Sequence, residues 1–141
     1  MRYWDTSAIV PLVVAEPGTE LARGWLKDDP SIVTWALSRV EIAGAIERRA
    51  RQALLDAGQR RMLLARFRSL FALWDEVTDL LPVRERAVSL LARHSLRAAD
   101  ALQLAAADVA AEGDPGSLEF VCLDRGLAQA AEREGFTILT W

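Results

Sequence analysis

Cysteine is almost absent from this chain. Cys122 is the only one, so no disulfide can close within it. A reducing compartment, the cytoplasm, is the expected home. Histidine is equally scarce. With His94 alone, a mechanism that uses paired histidines as acid and base is excluded. No apolar run approaches the roughly 20 residues that span a bilayer. The N-terminus lacks a basic segment followed by a long apolar stretch, so no secretory signal is expected. A glycine-rich phosphate loop is missing too, which argues against an NTPase. Lys27 is the only lysine, against sixteen arginines. There is no linker, internal repeat or low-complexity tract.

What is present is one stretch of 141 residues, 52% hydrophobic, enough for a single domain over residues 1–141 with a real core. The net charge of −3 argues against a general nucleic-acid binder. With four particular acids set aside, the remainder is about neutral and its arginines are clustered.

Apolar segments of strand length alternate with helical patterns. Arg2 to Asp5 reads as a strand, with Thr6 or Ser7 capping the helix that follows. Pro11 is expected in that helix's first turn or just after it. Glu16-Pro17-Gly18-Thr19 is a break, and Glu20 to Lys27 a second short helix. Ser31 to Trp35 is rich in β-branched residues and reads as a buried strand. A long helix is expected from about Ala36 to Leu55, ending near Gly58, and another from Gln59 to Trp74. Val77 to Leu81 is a weak strand candidate stopped by Pro82. Val83 to His94 and Ala98 to Glu112 read as helices. Phe120 to Leu123 is a buried strand ending at Asp124, Arg125 to Glu134 a helix, and Phe136 to Leu139 the last strand. This alternation predicts βαβ units and a mostly parallel sheet, an α/β fold.

Four acids stand in unusual places. Asp5 and Asp124 each end an apolar strand and precede a helix, where active sites of parallel sheets gather. Glu41 has the small neighbours Ser38, Gly44 and Ala45 on its helix. Asp100 lies in the first turn of an Ala-rich, nearly seamless apolar helix. Each also has a structural reading. Asp5 and Asp124 can cap helices, Glu41 can pair with Arg48 or Arg39, and Asp100 can favour a helix dipole by roughly 0.3–1 kcal/mol. Convergence would change the balance. Carboxylates ~4–5 Å apart repel by about 3–4 kcal/mol per pair at an effective dielectric near 20. A divalent cation offsets that cost, and hard oxygen ligands select Mg²⁺ or Mn²⁺. One or two such ions can activate water for phosphodiester hydrolysis. His94 reads as structural, and Cys122 as a buried, inert thiol.

Four pieces together resemble the PIN-domain ribonucleases, specifically the VapC type of toxin from type II toxin–antitoxin systems. They are Trp4-Asp5-Thr6-Ser7-Ala8 with Glu16-Pro17-Gly18 downstream; Ser38-Arg39-Val40-Glu41-Ile42-Ala43; Leu96 to Ala106 around Asp100; and Val121-Cys122-Leu123-Asp124-Arg125-Gly126-Leu127. The resemblance runs the length of the chain. It implies a three-layer α/β/α fold with about five strands and a Mg²⁺- or Mn²⁺-dependent endoribonuclease. Asp5, Glu41, Asp100 and Asp124 match the family's acidic positions, and Thr6 a supporting hydroxyl. The resemblance also implies structured RNA such as tRNA or ribosomal RNA as substrate, a homodimer, and inhibition by a VapB-type antitoxin. One departure is visible: where the family often has Ser or Thr two residues before its last Asp, this chain has Cys122. Arg48, Arg97 and Arg125 are the candidate RNA contacts, since phosphates carry most nucleic-acid affinity. The arginine-rich helical hairpin could equally meet an acidic partner segment.

The alternatives are a PIN nuclease of RNA maturation and a catalytically silent interaction protein on the same fold. A phosphatase of the haloacid-dehalogenase type with Asp5 as nucleophile ranks below both. Such enzymes place a second Asp two residues on, and here that residue is Ser7.

Overall fold

The computed structural model describes residues 1–141. Its strands are β1 (Arg2–Trp4), β2 (Ile32–Trp35), β3 (Asp75–Val77), β4 (Glu119–Val121) and β5 (Thr137–Leu139). Its α-helices are α1 (Thr6–Val13), α2 (Thr19–Asp28), α3 (Ser38–Arg51), α4 (Ala57–Phe71), α5 (Leu80–Arg93), α6 (Ala98–Ala110) and α7 (Arg125–Arg133). A 3₁₀ turn covers Pro115–Ser117.

The five strands form one sheet in the order β3-β2-β1-β4-β5. Every pairing is parallel. Side chains alternate across a strand, so Tyr3 and Trp4 enter different cores. Tyr3, with Val33, Trp35 and Phe120, packs against α5, α6 and α7. Trp4, with Ile32 and Val121, packs against α1 to α4. The result is the expected three-layer α/β/α arrangement. Strand order reverses direction between β1 and β4, so the crevice beyond their carboxyl ends is the place where ligands bind in such sheets.

Several boundaries differ from the sequence reading. Asp5, rather than Thr6 or Ser7, is the N-cap of α1, and its carboxylate accepts the Ser7 N–H. Pro11 sits deeper in α1 than expected, as the sixth of eight residues. Its missing N–H falls opposite the Ser7 backbone carbonyl, which forgoes that one helical hydrogen bond. The first long helix stops at Arg51, not near Gly58. Asp56 and Gln59 form a reciprocal capping box that starts α4 at Ala57, which places Gly58 in its first turn. The third strand is Asp75–Val77, and Pro82 does not stop it. Instead Pro82 is the third residue of α5, where a missing N–H costs no helical hydrogen bond.

Candidate active site

Asp5 leaves β1 with its backbone N–H bonded to the Val121 carbonyl of β4 at 3.0 Å. Its side chain is 4% exposed. Oδ2 accepts from the Ser7 N–H at 2.9 Å and from the Ser7 hydroxyl at 2.5 Å. The thiol of Cys122 also points at Oδ2, from 3.6 Å. Burial pushes the Asp5 carboxyl above its ordinary value; the Ser7 hydrogen bonds oppose this and the charge of Asp100 reinforces it.

Glu41 lies in the first turn of α3, half-buried. Its Oε1 accepts from the Gln103 amide at 3.1 Å. Burial raises its carboxyl too; Gln103 and Thr6 stabilise the anion, while Asp5 and Asp100 act against it. Asp100, in the first turn of α6, is raised first by burial and then by Asp124, with the Arg97 backbone N–H and guanidinium opposing. Asp124 is exposed and caps α7 through the Leu127 N–H at 2.8 Å.

The electrostatic coupling therefore runs from Glu41 to Asp5 and Asp100, and from Asp100 to Asp124. The capping readings of Asp5 and Asp124 hold at the same time as this coupling. The pairing reading of Glu41 does not: Arg39 pairs with Glu76 of β3 instead. None of the four acids takes part in an ion pair with an arginine or the lysine. An all-oxygen set with no ion-pair partner suits a hard divalent ion. In this side-chain arrangement no three of the acids are close enough to hold one ion together.

The arginines separate by position. Arg97 is exposed at the N-cap of α6 and acts electrostatically on Asp100. Arg125 is exposed at the start of α7 and borders a cavity of about 290 Å³ with Gln129, Ile138 and Trp141. Arg48 is exposed in the last turns of α3, seven residues or about 10 Å along the helix from Glu41. Neighbouring Arg49 instead pairs with Glu16 of the Glu16-Pro17-Gly18 turn.

Three residues carry more of this site than their sequence context indicates. Gln103 is 1% exposed and touches Tyr3, Thr6, Ser38 and Glu41. Its signal was a lone amide one turn after Asp100 in an Ala- and Leu-rich helix. Ser7 bridges the two central strands: its hydroxyl oxygen accepts from the N–H groups of Leu123 at 2.9 Å and Asp124 at 3.2 Å. Cys122 is buried as expected, and burial pushes its thiol well up. It nevertheless contacts Asp5, with its Sγ also 3.3 Å from the Asp124 carbonyl.

The model of the PIN domain family matches residues 2–132. The chain belongs to the PIN domain family. PIN domains are generally nucleases that use divalent metal ions. The crystal structure of FitAcB from Neisseria gonorrhoeae shares the fold, with a TM-score of 0.72 at 20% identity over 99% of this chain and 96% of that one. No curated protein matches by sequence. No helix is long and apolar enough to cross a membrane.

Proposed function

We propose that this chain is a metal-dependent endoribonuclease, the VapC-type toxin of a type II toxin–antitoxin pair, acting in the cytoplasm on structured RNA such as tRNA or ribosomal RNA. The observation that carries the reading is the set of coupled, unpaired carboxylates at the switch point of the sheet. Asp5, Glu41, Asp100 and Asp124 are assigned as the ligands of Mg²⁺ or Mn²⁺ and as the catalytic acids, with Thr6 in support. When bound, such an ion supplies Lewis acidity and an activated water for phosphodiester hydrolysis.

The protein's own residues supply the rest. Ser7 holds the Asp5 carboxylate in one orientation. Arg97, beside Asp100, is placed to meet a phosphate of the substrate strand. Arg48 and Arg125 lie further out and would hold flanking phosphates.

Two surfaces support the proposed partners. Leu80, Leu81, Val88 and Leu91 of α5, with Leu37 and Val40 at the start of α3, are 42–67% exposed. The four on α5 lie along one face of that helix, and an exposed apolar helix face suits a homodimer. A second apolar surface is a cavity of about 390 Å³ lined by Val14, Leu54, Leu55, Met62 and Leu63, with the Glu16-paired Arg49 among its lining residues. It suits an apolar segment, as a VapB-type antitoxin would offer.

A silent interaction protein on the same fold is the competing reading, favoured by the spacing of the acids, no three of which share one ion as they stand. Incubation of total bacterial RNA with purified, partner-free protein separates the two. The nuclease reading expects discrete fragments with Mg²⁺ or Mn²⁺, none with EDTA, and none from Asp5→Asn. Folded protein that binds Mn²⁺ and cuts nothing would favour the silent reading.

A further inference from the structure

We infer that Gln103 is a positioning residue that fixes the orientation of the Glu41 carboxylate. The inference deepens the nuclease reading and rests on it.

The hydrogen-bond polarity around Gln103 can be worked out from the acceptors. The Thr34 hydroxyl has one proton and gives it to the Trp4 carbonyl at 2.7 Å. Ser38, 2.8 Å from Thr34, must therefore donate to it. The Ser38 oxygen is then left to accept, and the Gln103 amide nitrogen lies 3.0 Å away. One amide N–H is committed there. The other faces Thr6 Oγ1 at 3.0 Å and Glu41 Oε1 at 3.1 Å. The Tyr3 hydroxyl donates to the amide oxygen at 2.7 Å. A flipped amide would set its oxygen against the Glu41 carboxylate, so the partners allow one orientation.

Gln103 thus has two arms. One runs through Ser38 and Thr34 to β1 and belongs to the fold. The other ends on Glu41 and belongs to the site. The Tyr3 and Ser38 contacts satisfy buried hydroxyls of the fold, and the contact to Glu41 is the one that the fold does not require. Its value lies in joining α6 to α3 across the carboxyl edge of the sheet. Carboxylate ligands held by such an outer contact lose affinity for metal when the contact is removed.

Mn²⁺ titration of four proteins tests this: wild type, Gln103→Met, Glu41→Gln and the double variant, with Ser38→Ala as the control for the structural arm. Gln103→Met is expected to weaken Mn²⁺ binding by about 10- to 100-fold. In the Glu41→Gln background it should add little, because it acts through Glu41. Ser38→Ala should lower the thermal midpoint and keep wild-type affinity. If Gln103→Met does not fold, Gln103→Asn withdraws the amide by one methylene and gives the same comparison. Wild-type affinity in Gln103→Met, or a loss fully additive with Glu41→Gln, would overturn the inference. Wild-type protein that binds no Mn²⁺ would overturn the metal reading itself, and the positioning role with it.

Discussion

The Ser7 hydroxyl donates to Oδ2 of Asp5 at 2.5 Å, and Ser7 Oγ accepts from the backbone N–H groups of Leu123 and Asp124. One small side chain thus fixes the first acid and ties the exit of β1 to the exit of β4. Ser7→Ala leaves two N–H groups without their acceptor. It is expected to cost about 1–3 kcal/mol, read by chemical denaturation, and to reduce RNA cleavage by freeing Asp5. Unchanged stability would mean that Ser7 does not bridge the strands.

Glu41→Gln should do the opposite to stability. Burial and the charges of Asp5 and Asp100 all disfavour the Glu41 anion, so neutralising it relieves the metal-free protein. The thermal midpoint in EDTA is expected to rise, while the further rise that Mn²⁺ gives the wild type is lost or reduced. A lower midpoint in EDTA would show that the Gln103 and Thr6 hydrogen bonds outweigh the repulsion.

Gly18 has a φ of +94°, and a Cβ there would stand 2.9 Å from Leu123 Cδ1 and 3.0 Å from Trp141 Cζ3. Both the left-handed backbone and the contacts oppose a side chain. Gly18→Ala should therefore destabilise by about 1–3 kcal/mol, with the midpoint of a urea melt as the readout. Wild-type stability would mean that this turn yields easily.

Glu134 gathers His94 at 2.6 Å, Arg86 at 2.9 Å and Arg93 at 3.1 Å, with its side chain 4% exposed. Arg86 is shared with Asp108 of α6 at 2.8 Å. Burial alone would raise the Glu134 carboxyl, but His94 and the two arginines outweigh it and hold it below the ordinary value. A depressed carboxyl stabilises the fold above the ordinary carboxylate range and loses that contribution as pH falls through its folded value. Glu134→Gln is expected to cost about 1–3 kcal/mol near neutral pH. Its deficit against wild type should shrink only as pH falls below the ordinary carboxylate range. A gap that does not vary with pH would contradict the ionic role.

The sequence was most informative where one residue type had one physical job. Short apolar segments that run into Asp5 and Asp124 mark the carboxyl edge of a parallel sheet in the sequence itself, although β4 stops at Val121, three residues before Asp124. Boundaries were less legible where two signals compete. Pro82 reads as a strand stop and equally as an early helical residue, and Gly58 reads as a helix end although Asp56 and Gln59 cap the next helix around it. Each acid is legible singly from its local setting, but its hydrogen-bond partners are not. Gln103 reaches Glu41 across 62 residues and Ser7 reaches Leu123 across 116, separations that no local pattern encodes. The thiol of Cys122 faces Asp5 for the same reason: the pairing of β1 with β4 brings them together, and their spacing in the chain does not.

Mn²⁺ binding by purified wild-type protein, measured beside Asp5→Asn, Glu41→Gln, Asp100→Asn and Asp124→Asn, decides whether these carboxylates hold a metal. Saturable binding by the wild type, weakened in every variant, is the expected outcome. Wild-type affinity retained in any of them would remove that residue from the proposed metal site, and retention in Asp5→Asn would rule out a metal centre at the exit of β1.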